Sequence, residues 1–100
     1  MAQFDLYAGI GDGESGYVVD LQADLLSGLA TRIVAPLRAR AATVAITGLT
    51  PVVDVGGVEF VVLMQEMAAG PTRELQRRIG SLGAYQDSIK RALDIVFFGL

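Results

Sequence analysis

The side chains that carry most enzyme chemistry are scarce in this 100-residue sequence. It has no His and no Cys. Ser–His and Cys–His nucleophile pairs are therefore excluded, and so are disulfides and thiol chemistry. A metal site has only carboxylates to draw on. Asp20 and Asp24 are four apart but lie across a strand end with no dense acidic cluster beside them. They read as solvated surface charges, although paired carboxylates stay open as a general acid and base. Gly11-Asp12-Gly13-Glu14-Ser15-Gly16 matches the G-x-G-x-x-G pattern of a dinucleotide loop. Such a loop must open a helix whose N-terminus holds the phosphates. Here Tyr17-Val18-Val19 follows and favours a strand, and Asp12 and Glu14 put negative charge where phosphates sit. The segment reads as a hairpin loop. Arg73, Arg77 and Arg78 form the one basic cluster, in a chain of net charge −3 and pI about 4.7. A nucleic-acid groove needs concentrated positive charge, so direct DNA or RNA binding is not expected. No cofactor or metal is expected either.

Phe98, Gly99 and Leu100 stand apart. They lie past the last residue assigned to a helix, where an aromatic and a leucine have no packing role unless they fold back. They are candidates for contact with another protein. Hydrophobic residues make up 52% of the chain and charged ones 19%. A single domain of this size has a high surface-to-volume ratio and struggles to hide that much apolar side chain. The surplus points to a permanent apolar interface, most simply a twofold homodimer. Residues 1–5 carry neither the basic start nor the apolar stretch of a signal peptide. The apolar run at 58–67 is broken by Glu59, Gln65 and Glu66 and falls short of a bilayer span.

The elements that position these residues are mostly strands. Residues 3–8 alternate, with Phe4, Leu6 and Ala8 on one side and Gln3, Asp5 and Tyr7 on the other, the pattern of a half-buried strand. Residues 17–21 form its hairpin partner across the glycine-rich loop. Residues 32–37 read as a third strand, with Pro36 at an edge or bulge, and 38–47 fit helix and strand equally. Segments 51–55 and 58–63 flank Gly56-Gly57, a turn suited to positive φ at both positions. Residues 64–69 extend the second arm or leave it. The polar stretch from Gly70-Pro71 to Gly83 reads as a connection with one helical turn. Residues 84–97 form an amphipathic helix, with Ile89, Leu93 and Phe97 as its core stripe and Gly99 ending it.

Taken end to end, the chain resembles the CcdB family of toxins. The resemblance rests on Gln3-Phe4 and Tyr7 in the first strand and on Val19-Asp20-Leu21-Gln22-Ala23-Asp24-Leu25-Leu26. It continues through Arg32-Ile33-Val34-Ala35-Pro36-Leu37, Pro51-Val52-Val53 and Met67-Ala68. It ends on Ile89-Lys90-Arg91-Ala92-Leu93-Asp94-Ile95-Val96-Phe97-Phe98-Gly99-Leu100. The family commonly has Trp where Phe98 stands and often Asn where Asp94 stands. A Phe there implies a weaker cation–π contact.

The resemblance implies a mainly β (α+β) fold, a small SH3-like antiparallel barrel or sheet with a C-terminal α-helix. It implies a cytoplasmic homodimer that is not an enzyme. Such a dimer inserts its tip into the A subunit of bacterial DNA gyrase, traps the cleaved-DNA complex, and is neutralised by a CcdA-like antitoxin. The implied gyrase contacts are Phe98, Gly99, Leu100 and Asp94, with Leu25, Leu26, Gln3 and Phe4 at the rim. The implied antitoxin contacts are Ala8, Gly9, Ile10, Gly11, Asp12, Gly13 and Glu14. A MazF-like endoribonuclease on the same fold, and a family member with a lost or altered target, stay open as alternatives.

Overall fold

The computed structural model describes residues 2–8, 16–26 and 28–99. Its strands are β1 (Asp5–Ala8), β2 (Tyr17–Asp20), β3 (Thr31–Ala39), β4 (Val52–Val55), β5 (Val58–Val62), β6 (Ala68–Pro71) and β7 (Arg78–Ser81); α1 (Gln86–Phe98) follows. Every pairing is antiparallel, in the order β4-β5-β3-β2-β1-β7, with β6 on β3. The result is a mainly β fold, a curled antiparallel half-barrel carrying one C-terminal helix. It agrees with the fold class read from the sequence.

The nine-residue β3 is the hub. On one side Thr31–Val34 pair with β6 and Leu37–Ala39 with β5, while Val34–Pro36 face β2 on the other. Pro36 lies where the first side changes partner. Its carbonyl accepts from Leu63 N at 2.9 Å. Within a strand a residue's N and C=O point the same way, so the missing N–H faces that gap and costs no ladder bond. The β4–β5 turn has φ +61° at Gly56 and +87° at Gly57, the left-handed values only glycine adopts without strain.

The core joins Leu6, Val19, Ala35 and Leu37 of the sheet to Ile89 and Ala92 of α1, all buried. Each such aliphatic side chain contributes about 1.5–3 kcal/mol on leaving water. Tyr17 and Phe60 meet edge to face at 5.3 Å, and the Tyr85 hydroxyl accepts from Asp54 N at 3.1 Å, tying the base of α1 to β4.

Several expectations are corrected. β1 is buried on both sides, not one. Leu6 faces the main core, while Tyr7 packs with Val18 and Leu75 in a second cluster. Leu75, from the stretch read as a connection with one helical turn, supplies that second cover, directly after the 3-10 turn Thr72–Glu74. The same stretch contains β7, and its first two residues, Gly70 and Pro71, end β6. Ala-Ala-Gly-Pro and Arg-Ile-Gly-Ser lack an alternating pattern and become strands because β3 and β1 offer open edges. Residues 40–42 are a short 3-10 turn after β3. The helix runs through Phe98, which is its last residue and not beyond it. Phe97 is 65% exposed and not core. Only Ile89 and Ala92 of α1 are fully buried; in the last turn Val96 still packs against the core, while Phe97 and Phe98 are exposed.

Candidate protein-binding surface

The exposed end of α1 is the first part of the surface. Phe97 and Phe98 are 65% and 73% exposed, with ring centroids 6.5 Å apart. Asp94 is exposed one turn below them, at the i−4 position from Phe98 and therefore on the same face. Gly99 closes the helix at φ +71°, its N–H donating to Ile95 O at 3.0 Å. This is the left-handed cap that glycine favours, so helix termination by itself accounts for the residue. Leu100 lies outside the described residues.

The second part is the loop between β2 and β3. It makes a 3-10 turn at Asp24–Leu26. Leu25 is 92% exposed and Leu26 45%. Leu26 and Phe97 line one open apolar groove of about 560 Å³, with Ile33, Met67 and Leu93. The groove makes the loop and the helix tip one continuous surface. Gln3 joins it from beneath, donating from Nε2 to Leu21 O at 3.0 Å and from its backbone N to Asp24 Oδ1 at 2.6 Å.

Phe4 does not belong to this rim. It is 4% exposed, inside the core with Leu6 and Leu82. Its φ of +70° turns the chain inward, and its N and O bond Asp20 O and Leu82 N. Ala8 is half-buried at the end of β1. Gly9, Ile10, Gly11, Asp12, Gly13 and Glu14 lie outside the described residues.

What the sequence reading missed is the polar cluster below the loop. Asp20, read as a solvated charge, is fully buried against Arg32, whose Nε and Nη2 donate to Asp20 Oδ2 at 3.0 and 2.6 Å. Gln22 is buried beside them. Arg32 Nη1 is buried without a hydrogen-bond partner. Asp5 is buried too, and forms an ion pair with Arg78, its Oδ1 3.1 Å from Nε. Burial pushes the Tyr7 hydroxyl above its ordinary pKa of 10.0, and the charges of Asp5 and Asp20 push it further. Among the described residues no group of three or more His, Cys, Asp or Glu is placed to hold a metal ion. No helix among them is long and apolar enough to cross a membrane.

The family model described as CcdB protein matches residues 3–99. The chain belongs to the CcdB family. The match takes in both parts of the surface, and membership makes the chain a toxin of a toxin–antitoxin module. No curated protein matched the sequence.

Proposed function

We propose that this CcdB family member is a gyrase poison that works by binding, with no turnover of its own. As a homodimer in the cytoplasm it docks the α1 tip on the A subunit of DNA gyrase and holds the enzyme with its DNA cut. The observation that carries this reading is the solvent-exposed Phe97–Phe98 pair at the end of α1, continuous with an apolar groove. Exposed aromatics are costly unless a partner covers them, and aromatic anchors dominate protein interfaces. Phe98 stacks on a cation of the partner and Leu100 fills an apolar gap. Gly99 caps the helix and lets the partner's backbone approach. Asp94, Leu25 and Leu26 border the contact, with Gln3 as a tether. The apolar surplus of the chain supports association of two copies. The antitoxin, a CcdA-like protein, binds at Ala8 and the adjoining residues 9–14; the family resemblance supports this part. Direct nucleic-acid binding has no place in this account, since the chain is acidic overall.

Titration calorimetry of the gyrase A subunit with the intact protein and with Phe98→Ala tests it. The account expects binding that weakens by about 2 kcal/mol or more in the variant, as for an interface anchor. Phe98→Trp, with its larger π face, tightens binding. Equal affinity for all three proteins would reject the tip as the contact.

A further inference from the structure

Leu25 projects into solvent with 92% of its surface exposed, and the 3-10 turn that carries it contains no buried residue. Packing therefore does not fix where this leucine points. The loop is held by polar bonds instead, and they converge on Gln22. Its side-chain amide donates from Nε2 to Leu26 O and Thr31 O, both at 3.2 Å, and its Oε1 accepts from Ile33 N at 3.2 Å. Its backbone N donates to Asp20 Oδ1 at 3.0 Å, and its carbonyl accepts from Arg32 Nη2 at 3.1 Å. The Asp20–Arg32 pair is itself fully buried. The residue that gathers the two ends of the loop is thus bolted to the core.

We infer that Gln22, anchored by Asp20 and Arg32, is a positioning residue that holds the Asp24–Leu26 turn against the start of β3 in a binding-ready shape and so presents Leu25 and Leu26 beside the α1 tip. The affinity part of this inference rests on the gyrase reading; the loop-order part does not. Only a primary amide offers two donors and an acceptor at this reach. Glu keeps the acceptor for Ile33 N and loses both donors. Met keeps the length and loses all three bonds. A loop already ordered does not lose that freedom when a partner binds, so its leucines contribute more of their burial to affinity.

The experiment compares the intact protein with Gln22→Glu and Gln22→Met by native-state amide exchange and by titration of the gyrase A subunit. The titration is repeated in a Leu25→Ala/Leu26→Ala background. Each lost hydrogen bond is worth enough to raise local opening several-fold, so the Leu26 and Leu29 amides exchange roughly tenfold faster or more in both variants. The Ile89 amide in the core of α1 is the reference for the fold. Gyrase affinity falls roughly tenfold in Gln22→Met, and that loss disappears once the two leucines are gone. The proposal is overturned if Leu26 and Leu29 exchange at the intact rate. It is also overturned if Gln22→Met weakens binding equally with and without the leucines, because Gln22 then acts through the fold at large. Should Gln22→Met not fold, Gln22→Glu carries the same comparison. An intact protein that fails to bind gyrase sinks the gyrase reading alone, and the exchange rates still decide on the loop.

Discussion

Phe4 combines a left-handed backbone with a buried ring. That conformation is rare for a non-glycine residue and costs of order 1–3 kcal/mol, which the surrounding core must offset. Phe4→Ala is expected to lower stability by about 3–5 kcal/mol in urea denaturation, the range for an emptied core position. A loss under 1 kcal/mol would put Phe4 back at the surface. Tyr7 gives a pH signature. Its folded pKa is raised, first by burial and then by Asp5 and Asp20. The folded state therefore keeps its proton longer than the unfolded chain. The stabilisation is whole below pH 10.0 and is lost as pH rises through the higher folded value. Urea midpoints should fall above pH 10.0, and Tyr7→Phe should flatten that fall. Single residues were also where the sequence misled most. Asp20 looked solvated because nothing in a linear chain says that Arg32 will face it across β2 and β3. The resemblance put Phe4 at the rim, although strand alternation sets it beside Leu6, in the core where the structure has it.

At the scale of elements, the β2–β3 pair is locked by the Asp20–Arg32 bridge. Removing one charge strands the other in the core, so Asp20→Ala should cost about 3–5 kcal/mol in urea denaturation. The apolar replacement of both, Asp20→Leu with Arg32→Met, should recover most of that loss. Failure of the double variant to recover would mean that Arg32's bond to Gln22 O, and not charge pairing, holds the strands. The exposed Arg40–Glu59 pair, at 3.2 Å, has no comparable weight. Elements with strong local patterns were legible. Gly56-Gly57 announced the β4–β5 hairpin, and the four-residue spacing of Ile89 and Leu93 announced α1. β6 and β7 were not legible, since Ala, Gly and Pro, or Arg, Gly and Ser, become strand only when a neighbour offers an edge. The spacing that marked Ile89 as core also marked Phe97, but periodicity does not say where the sheet beneath a helix stops.

Across the whole molecule, exposed apolar surface is the feature that the proposed function uses. The 52% apolar composition left a surplus, and the structure places part of it in the groove between the β2–β3 loop and α1. Sedimentation equilibrium at micromolar concentration should give twice the 10.6 kDa chain mass. A species at 10.6 kDa alone would contradict the dimer. Residue patterning alone picked out only the helix end of the candidate surface, and Leu25, Leu26 and Gln3 came in through the family resemblance. The loop half depends on Gln22 and on a buried ion pair formed at a distance along the chain.

The gyrase DNA-cleavage assay tests the central claim most directly, run with the intact protein and with a chain ending at Phe97. The deleted residues that the structure describes, Phe98 and Gly99, are exposed, so the shortened chain should stay folded, within about 1 kcal/mol of the intact one. The intact protein should accumulate linear, gyrase-linked DNA and the shortened one should not. Equal cleavage by the two, or none by either, would contradict the account.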